Sequence, residues 1–163
     1  MHDLLAIVLN KKDLSKAGDL FSLEDKEIEK DLTEVLVKVR QVIGHRDYLQ
    51  NDNDQSVIEI CTTRVTSAIR ENRSIERHAE AMVALLETCL KFNLKPTFRD
   101  EDPPHAKIAS EILSCIFMNY TKKSVMDLAL PIAVQFMGQG NKELERNMTS
   151  YLSLAAIDNA QIL

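Results

Sequence analysis

Apolar side chains recur at intervals of three and four residues along most of the chain, the spacing that turns one face of an α-helix toward a core. The strongest instance runs from Pro103 to Tyr120. There Ile108, Ala109, Ile112, Cys115 and Ile116 form a stripe, while Leu113, Phe117 and Met118 fill its flank, so the last two turns are apolar on nearly every side. Such a helix has to be covered from several directions and is expected in the middle of a stack of helices. Asp102 stands at the expected N-cap. Pro103 and Pro104 occupy the first turn, where their missing N–H groups would have no intrahelical acceptor in any case.

The same periodicity predicts helices on both sides. Leu4, Leu5, Val8 and Leu9 suit a short amphipathic helix within Met1 to Lys12, packed on the edge of the domain. Ser22, with Asp25 three residues on, reads as an N-cap close to a capping box. Ile28, Leu32, Val35, Leu36, Val39, Val42 and Ile43 then hold one helical face as far as a stop at Gly44. After the polar connector His45 to Asp52, a helix starting near Asn53 or Asp54 buries Val57, Ile58, Cys61, Val65, Ala68 and Ile69. Ser74 caps the next, whose face is Ile75, Ala79, Met82, Leu86, Cys89 and Leu90, and the charged linker Lys95 to Asp102 follows it. Ser124, with Asp127 three on, caps a helix through Val125, Leu128, Ile132 and Phe136, kinked at Pro131 and closed by Gly138 and Gly140. Asn141 caps a last full helix that buries Leu144, Met148, Tyr151, Leu152 and Ala155. Asp158 reads as the cap of one more, AQIL, left unfinished.

Ser22, Ser74 and Ser124 recur about every 50 residues, each opening a helix, a connector and a second helix. This pattern predicts an all-α fold, an α-solenoid of armadillo/HEAT-like helical hairpins in which each hairpin buries its face on the next. Length makes residues 1–163 a single helical domain, and the unfinished helix implies an N-terminal piece of a longer stack.

Composition agrees with this picture. Only four Gly and four Pro leave little material for β-hairpins, and aromatics are 5%. A net charge of −5 argues against a general affinity for nucleic acid, whose backbone demands a basic face. Cys61, Cys89 and Cys115 are an odd set without a CxxC, all on apolar faces, which suits a reduced intracellular protein. The segment MHDLLAIVLNKK lacks the features of a signal peptide, and the longest uncharged run, Leu128 to Asn141, is too short to span a bilayer. Sequons at Asn72, Asn119 and Asn147 read as incidental.

Enzymatic chemistry finds no support in the motifs. His2, His45, His78 and His105 are dispersed, and HExxH, GxSxG, GxGxxG and a phosphate loop are all absent. His78 and Cys89, a nucleophile–base pair on one helix, lie about 16 Å apart along its axis and cannot meet. NDNDQS places Asp52, Asp54 and Ser56 as in a calcium loop, but Val57 stands where Gly is needed and Thr63 where a bidentate Glu is needed, so helix capping is the better account. Asp100, Glu101 and Asp102 precede a helix, where the dipole stabilises carboxylates. No cofactor and no metal is expected. Binding is the better prospect, through the second helices of the hairpins, whose outer positions include Arg64, Ser67, Lys107, Ser110, Glu111, Arg146 and Asn147. Arg64, Arg70, Arg73 and Arg77 form the densest basic cluster, diluted by Glu71 and Glu76.

NKELERNMTSYLSLAA, residues 141–156, resembles the third helix of armadillo repeats, with Ser150 and Leu154 where peptide-binding members carry Trp and Asn. Over the whole chain, DLSKAGDLFSL (13–23), NDNDQSV (51–57), PHAKIAS (104–110) and GNKELERNMTSYLSLAAI (140–157) resemble the N-terminal region of the Melted family of ventricular zone-expressed PH domain-containing proteins. That resemblance implies a non-enzymatic adaptor in growth-factor signalling of the insulin/TOR and TGF-β kinds, cytoplasmic and peripheral at the plasma membrane. Its partners would be signalling proteins meeting the helical surface. Phosphoinositides would be bound by the family's PH domain, not by these residues. The competing expectation is a structural cap or oligomerisation element with no partner site of its own.

Overall fold

A computed structural model gives the fold, described here for residues 1–158. All regular structure among the described residues is helical, and the chain divides into two compact units, Met1–Ser74 and a second that begins at Ile75.

The first unit contains α1 (Asp3–Leu9), a 3₁₀ segment (Leu14–Ser22), α2 (Asp25–Ile28), a 3₁₀ turn (Glu29–Asp31), α3 (Leu32–Ile43), a second 3₁₀ turn (Tyr48–Gln50) and α4 (Asp52–Asn72). It is built around α4, against which α1, the 14–22 segment, α2 and α3 all pack. The predicted stripe of α4 is buried as expected, from Val57 to Ile69. Asp54, Thr62, Arg64 and Thr66 are buried too, so this helix is enclosed on more than its apolar face. Buried polar groups of that kind require partners. Asp54 has one in Lys12, whose Nζ lies 2.9 Å from its carboxylate. Asn51 caps the helix by accepting from the Asp54 N–H at 3.0 Å, which accounts for NDNDQS as helix-starting sequence.

The unbroken helix expected between Ser22 and Gly44 is instead α2, a 3₁₀ turn and α3. Ser22 does not cap it: its hydroxyl donates to the Asp19 carbonyl at the end of the 14–22 segment. The cap is Glu24, joined to Glu27 in a capping box, with the Glu24 N–H donating to Glu27 Oε2 at 2.8 Å. Ile28, Leu32, Val35, Leu36, Val39 and Ile43 are nonetheless all buried, so the apolar pattern survives the break in the backbone. Gly44 terminates α3 as expected.

The second unit contains α5 (Ile75–Cys89), α6 (Pro104–Phe117), α7 (Lys123–Ala133), a 3₁₀ turn (Val134–Phe136) and α8 (Lys142–Asp158). Helix α6 packs against α5, α7 and α8, which is why its side chains are buried on nearly every side from His105 to Phe117. Met118, expected on that flank, lies just past the helix and is exposed. Phe117 stacks on Tyr151 of α8 with centroids 5.0 Å apart, and Phe92 stacks on the buried His105 at 3.8 Å. Helix α5 packs on both α6 and α7.

Two caps in this unit differ from expectation. Helix α6 begins at Pro104 with Pro103 at the cap, so Asp102 falls outside it. Helix α7 begins at Lys123 with Lys122 at the cap, which places Ser124 inside the first turn. The buried face of α7 is Val125, Met126, Ala129, Leu130 and Ala133, and Leu128 is on the outside. Pro131 has no N–H to donate, and the α-helix gives way to the 3₁₀ turn two residues later, which sets Phe136 into the core. Ser74 does precede α5, although its buried hydroxyl makes no hydrogen bond among the described residues. Asp158 is the last residue of α8, and the AQIL helix expected after it lies outside the described residues.

Candidate functional site

Arg64 was the first residue expected to face a partner, and its position overturns that expectation. Its side chain is 4% exposed. Nε donates to the Leu20 carbonyl at 2.8 Å, one terminal nitrogen donates to the Leu23 carbonyl at 3.0 Å, and the other pairs with the Asp25 carboxylate at 2.8 Å. The cause is local. The 14–22 segment ends there, where the Leu20 carbonyl receives only a long bond from the Leu23 N–H at 3.4 Å, and a planar guanidinium satisfies several acceptors at once. Arg64 thus ties α4 to the segment before it, and the basic cluster with Arg70, Arg73 and Arg77 loses its first member.

The other expected positions are accessible. Lys107 is exposed on α6, with Ser110 and Glu111 half-buried beside it in sequence, and Ser67 is half-buried on α4. Arg146 is exposed on α8 and Asn147 is half-buried. Ser150 and Leu154, at the two positions where the armadillo pattern is altered, are both exposed.

Arg146 also belongs to a feature that residue patterns did not bring together. A cleft of about 380 Å³ separates the connector before α6 from the first turn of α8. Lys95, Thr97, Asp100 and Asp102 line it on one side, and Asn141, Lys142, Glu143 and Arg146 on the other. One amide builds it. The Asn141 Oδ1 accepts from the Leu144 N–H at 3.0 Å, capping α8, while its Nδ2 donates to the Leu94 carbonyl and to Asp102 Oδ1, both at 3.0 Å. The connector is thereby pinned at both ends.

Between those pins the chain turns tightly about Thr97. The Thr97 N–H donates to the Glu101 carbonyl at 3.0 Å, and the Asp100 N–H donates to the Thr97 carbonyl at 2.9 Å. The Thr97 hydroxyl oxygen accepts from the Arg99 and Glu101 N–H groups at 3.3 and 3.4 Å. Asp100 closes the turn in the left-handed region, with φ at 58°. The result holds Phe98 out in solvent, 93% exposed, with the Arg99 guanidinium 5.4 Å from its ring centroid. On the facing side Gly140, at φ 79°, supplies a conformation that a side chain would strain.

Three cations, Lys95, Lys142 and Arg146, and three carboxylates, Asp100, Asp102 and Glu143, line the cleft. It complements charged groups without a net preference for either sign, and no His or Cys lies in its wall. Burial pushes the Cys61 and Cys89 thiols up to about 12, so both stay protonated at neutral pH. No group of three or more His, Cys, Asp or Glu among the described residues is arranged to hold a metal ion. No helix among them is long and apolar enough to cross a membrane.

Of the cleft residues, the sequence pattern had singled out Arg146 for a partner and Asn141 as a cap. Lys95 and Thr97 were an undifferentiated charged linker, more than forty positions from α8 in the chain. The double use of Asn141 joins the two.

No known family profile and no solved structure matches the chain. Sequence comparison does find relatives. The chain is 59% identical over all 163 residues to ventricular zone-expressed PH domain-containing protein homolog 1 of Homo sapiens, and 59% to its Mus musculus counterpart, covering 20% of each. It is 58% identical to protein melted of Drosophila melanogaster, covering 16% of that protein. The chain therefore spans between about a sixth and a fifth of the length of the curated relatives it matches. Identity of this order, sustained from end to end through both units, places the chain in the Melted and ventricular zone-expressed PH domain-containing protein family.

Proposed function

We propose that this chain is a non-enzymatic, protein-interacting scaffold segment of a Melted-like adaptor, built as an armadillo/HEAT-type α-solenoid. One observation carries the reading. In the second unit the first helices of successive hairpins, α5 and α7, pack on each other, and so do the second helices, α6 and α8. That is how stacked hairpins share a core, and it leaves the second helices with one side turned away from it. Lys107 and Arg146 stand exposed on those two helices. In the full-length protein the segment would act in growth-factor signalling of the insulin/TOR or TGF-β type, in the cytoplasm and at the plasma-membrane surface. Signalling proteins are its expected partners. The PH domain in the relatives' names supports the membrane association, and no residue of this chain is assigned to lipid recognition.

The test is capture of signalling partners by the chain and by the double variant K107E/R146E. Both substitutions are at exposed positions, so the far-UV circular dichroism and thermal midpoint stay as in the parent. Loss of a captured protein with the fold intact supports the scaffold. Arg64→Glu is unsuitable for this purpose, because it would break an internal tie.

A second reading, the structural cap or oligomerisation element, is favoured by Leu154 at 43% and Ile157 at 79% exposure along α8. Sedimentation equilibrium of the parent and of L154E/I157E decides it. Concentration-dependent self-association that the double variant abolishes, with partner capture indifferent to Lys107 and Arg146, would replace the scaffold reading.

A further inference from the structure

We propose that Thr97 is a phospho-acceptor for an acidophilic Ser/Thr kinase, and that its phosphate, once attached, is held in the cleft by Lys95, Lys142, Arg146 and the first turn of α8. The inference goes beyond the scaffold reading and does not depend on it.

The acceptor is presented for modification. Thr97 is exposed on a connector, and Asp100, Glu101 and Asp102 follow it at the third, fourth and fifth positions. A kinase with a basic substrate groove reads carboxylates in that place by charge complementarity. The Thr97 oxygen accepts hydrogen bonds from its own turn, and that turn has to open for the kinase. The transfer is complete in its parts: a bond forms between Oγ1 and the γ-phosphorus of ATP, the bond from that phosphorus to the β-phosphate oxygen breaks, ADP leaves, and the hydroxyl proton passes to the kinase's base.

The destination is built on the other side of the cleft. Thr97 shares its lining with Lys95, Lys142 and Arg146. The amides of Lys142 and Glu143 stand in the first turn of α8, where helix geometry provides no intrahelical acceptor. A phosphate adds about −1.5 to −2 charges and three strong acceptor oxygens, which such a set of donors satisfies. Asp100, Asp102 and Glu143 balance the three cations, so the unmodified cleft is neutral overall and weak for a free anion. Of these carboxylates, Asp102 already accepts from Asn141. A tethered phosphate escapes the weakness because attachment fixes its local concentration. Ser22 also has an acidic residue at the third position after it, Asp25, but its neighbours Asp19, Glu24 and Glu27 repel a phosphate. That contrast makes the position of the label informative.

The chain and its T97V variant are incubated with ATP and an acidophilic Ser/Thr kinase, and the sites are located by tandem mass spectrometry. Phosphate on Thr97, absent from T97V, is expected; labelling confined to Ser22, to Ser124 (followed three residues on by Asp127) or to any other site, or equal uptake by both chains, overturns the proposal. The ³¹P resonance of the product is then titrated. Cations and amides around the phosphate lower its second ionisation below the ordinary value of about 6, and K142Q/R146Q restores it. A value at or above 6 in the parent, or one unchanged by the double variant, overturns the cleft as the receiver, since Asp100, Glu101 and Asp102 raise it in an open loop. Inorganic phosphate at millimolar concentration leaves the Lys142 and Arg146 amide resonances in place. Saturable shifts there would show a free-anion site instead.

Discussion

At the scale of the residue, a long cation proved to be architecture. Arg64 lies in a helix whose polar positions read as solvated, yet it reaches back to carbonyls some forty residues earlier and to the Asp25 carboxylate. Arg64→Met keeps most of the packing volume and removes every guanidinium donor, leaving the Leu20 carbonyl with only the long Leu23 N–H bond at 3.4 Å and taking the Arg64 partner from the Leu23 carbonyl and the Asp25 carboxylate. Asp25 is partly solvated and can rehydrate, so the expected loss is about 2–3 kcal/mol, below the figure for a fully buried pair. Urea unfolding of parent and variant measures it. Arg64→Lys, which restores the charge without the fork, should recover only part of the loss.

The buried thiols supply a pH signature. Cys61 and Cys89 are pushed up to about 12 in the fold, whereas an unfolded thiol ionises near 8.5. Below that pH both states hold the proton and the thiols contribute no slope. Between about 9 and 12 the unfolded chain has released protons that the folded chain still holds, so stability falls as pH rises through that window. The urea midpoint should decline there, and the decline should be shallower in C61A/C89A, which loses packing at every pH but has two fewer groups to titrate. Native alkylation by iodoacetamide should be slow for the same reason, and fast once urea unfolds the chain.

At the scale of the element, apolar periodicity located the helices well and their starts less well. The stripes on α3, α4, α6 and α8 are buried largely as read, because burial of one face depends on spacing that local backbone changes do not erase. Caps are decided by competition among neighbouring polar groups. Ser22 and Ser124 each had an acidic residue three positions on, but Glu24 and Lys122 hold the cap positions in the structure. A hydroxyl three residues from a carboxylate is common, and nothing in that short pattern says which phase the backbone adopts. Asn141 shows the opposite case, a correctly read cap whose second role was invisible. Asn141→Ala should cost about 1–2 kcal/mol through the cap alone, and trypsin should cut faster after Arg99, the connector's other basic residue, Lys95, being shielded by Pro96. Asn141→Asp separates the two roles. It retains an acceptor for the Leu144 N–H but loses the donors to Leu94 and Asp102, so α8 persists while the connector is released.

At the scale of the whole molecule, each unit has its own centre, α4 in the first and the α5–α6 pair in the second. Hydrogen exchange should follow that division. The slowest amides are expected in the middles of α4 and α6, where neighbours cover the helix, and the fastest in residues 95–102, apart from the amides bonded within the Thr97 turn. Slow exchange throughout 95–102, or fast exchange in α4, would contradict this assignment of the cores. The amino-acid sequence on its own determined that the chain is helical, which side chains go inside, where Gly44 and Asn141 end and begin helices, and which family the chain resembles. Those properties follow from residue spacing, local capping chemistry and shared strings, all of which are read along the backbone. Tertiary structure alone decided that Arg64 is internal, that Asp54 meets Lys12, and that Thr97 and Arg146 face one cleft. Each of these joins groups about forty or more positions apart, and a contact of that range is settled by how helices pack, a choice that no local pattern records.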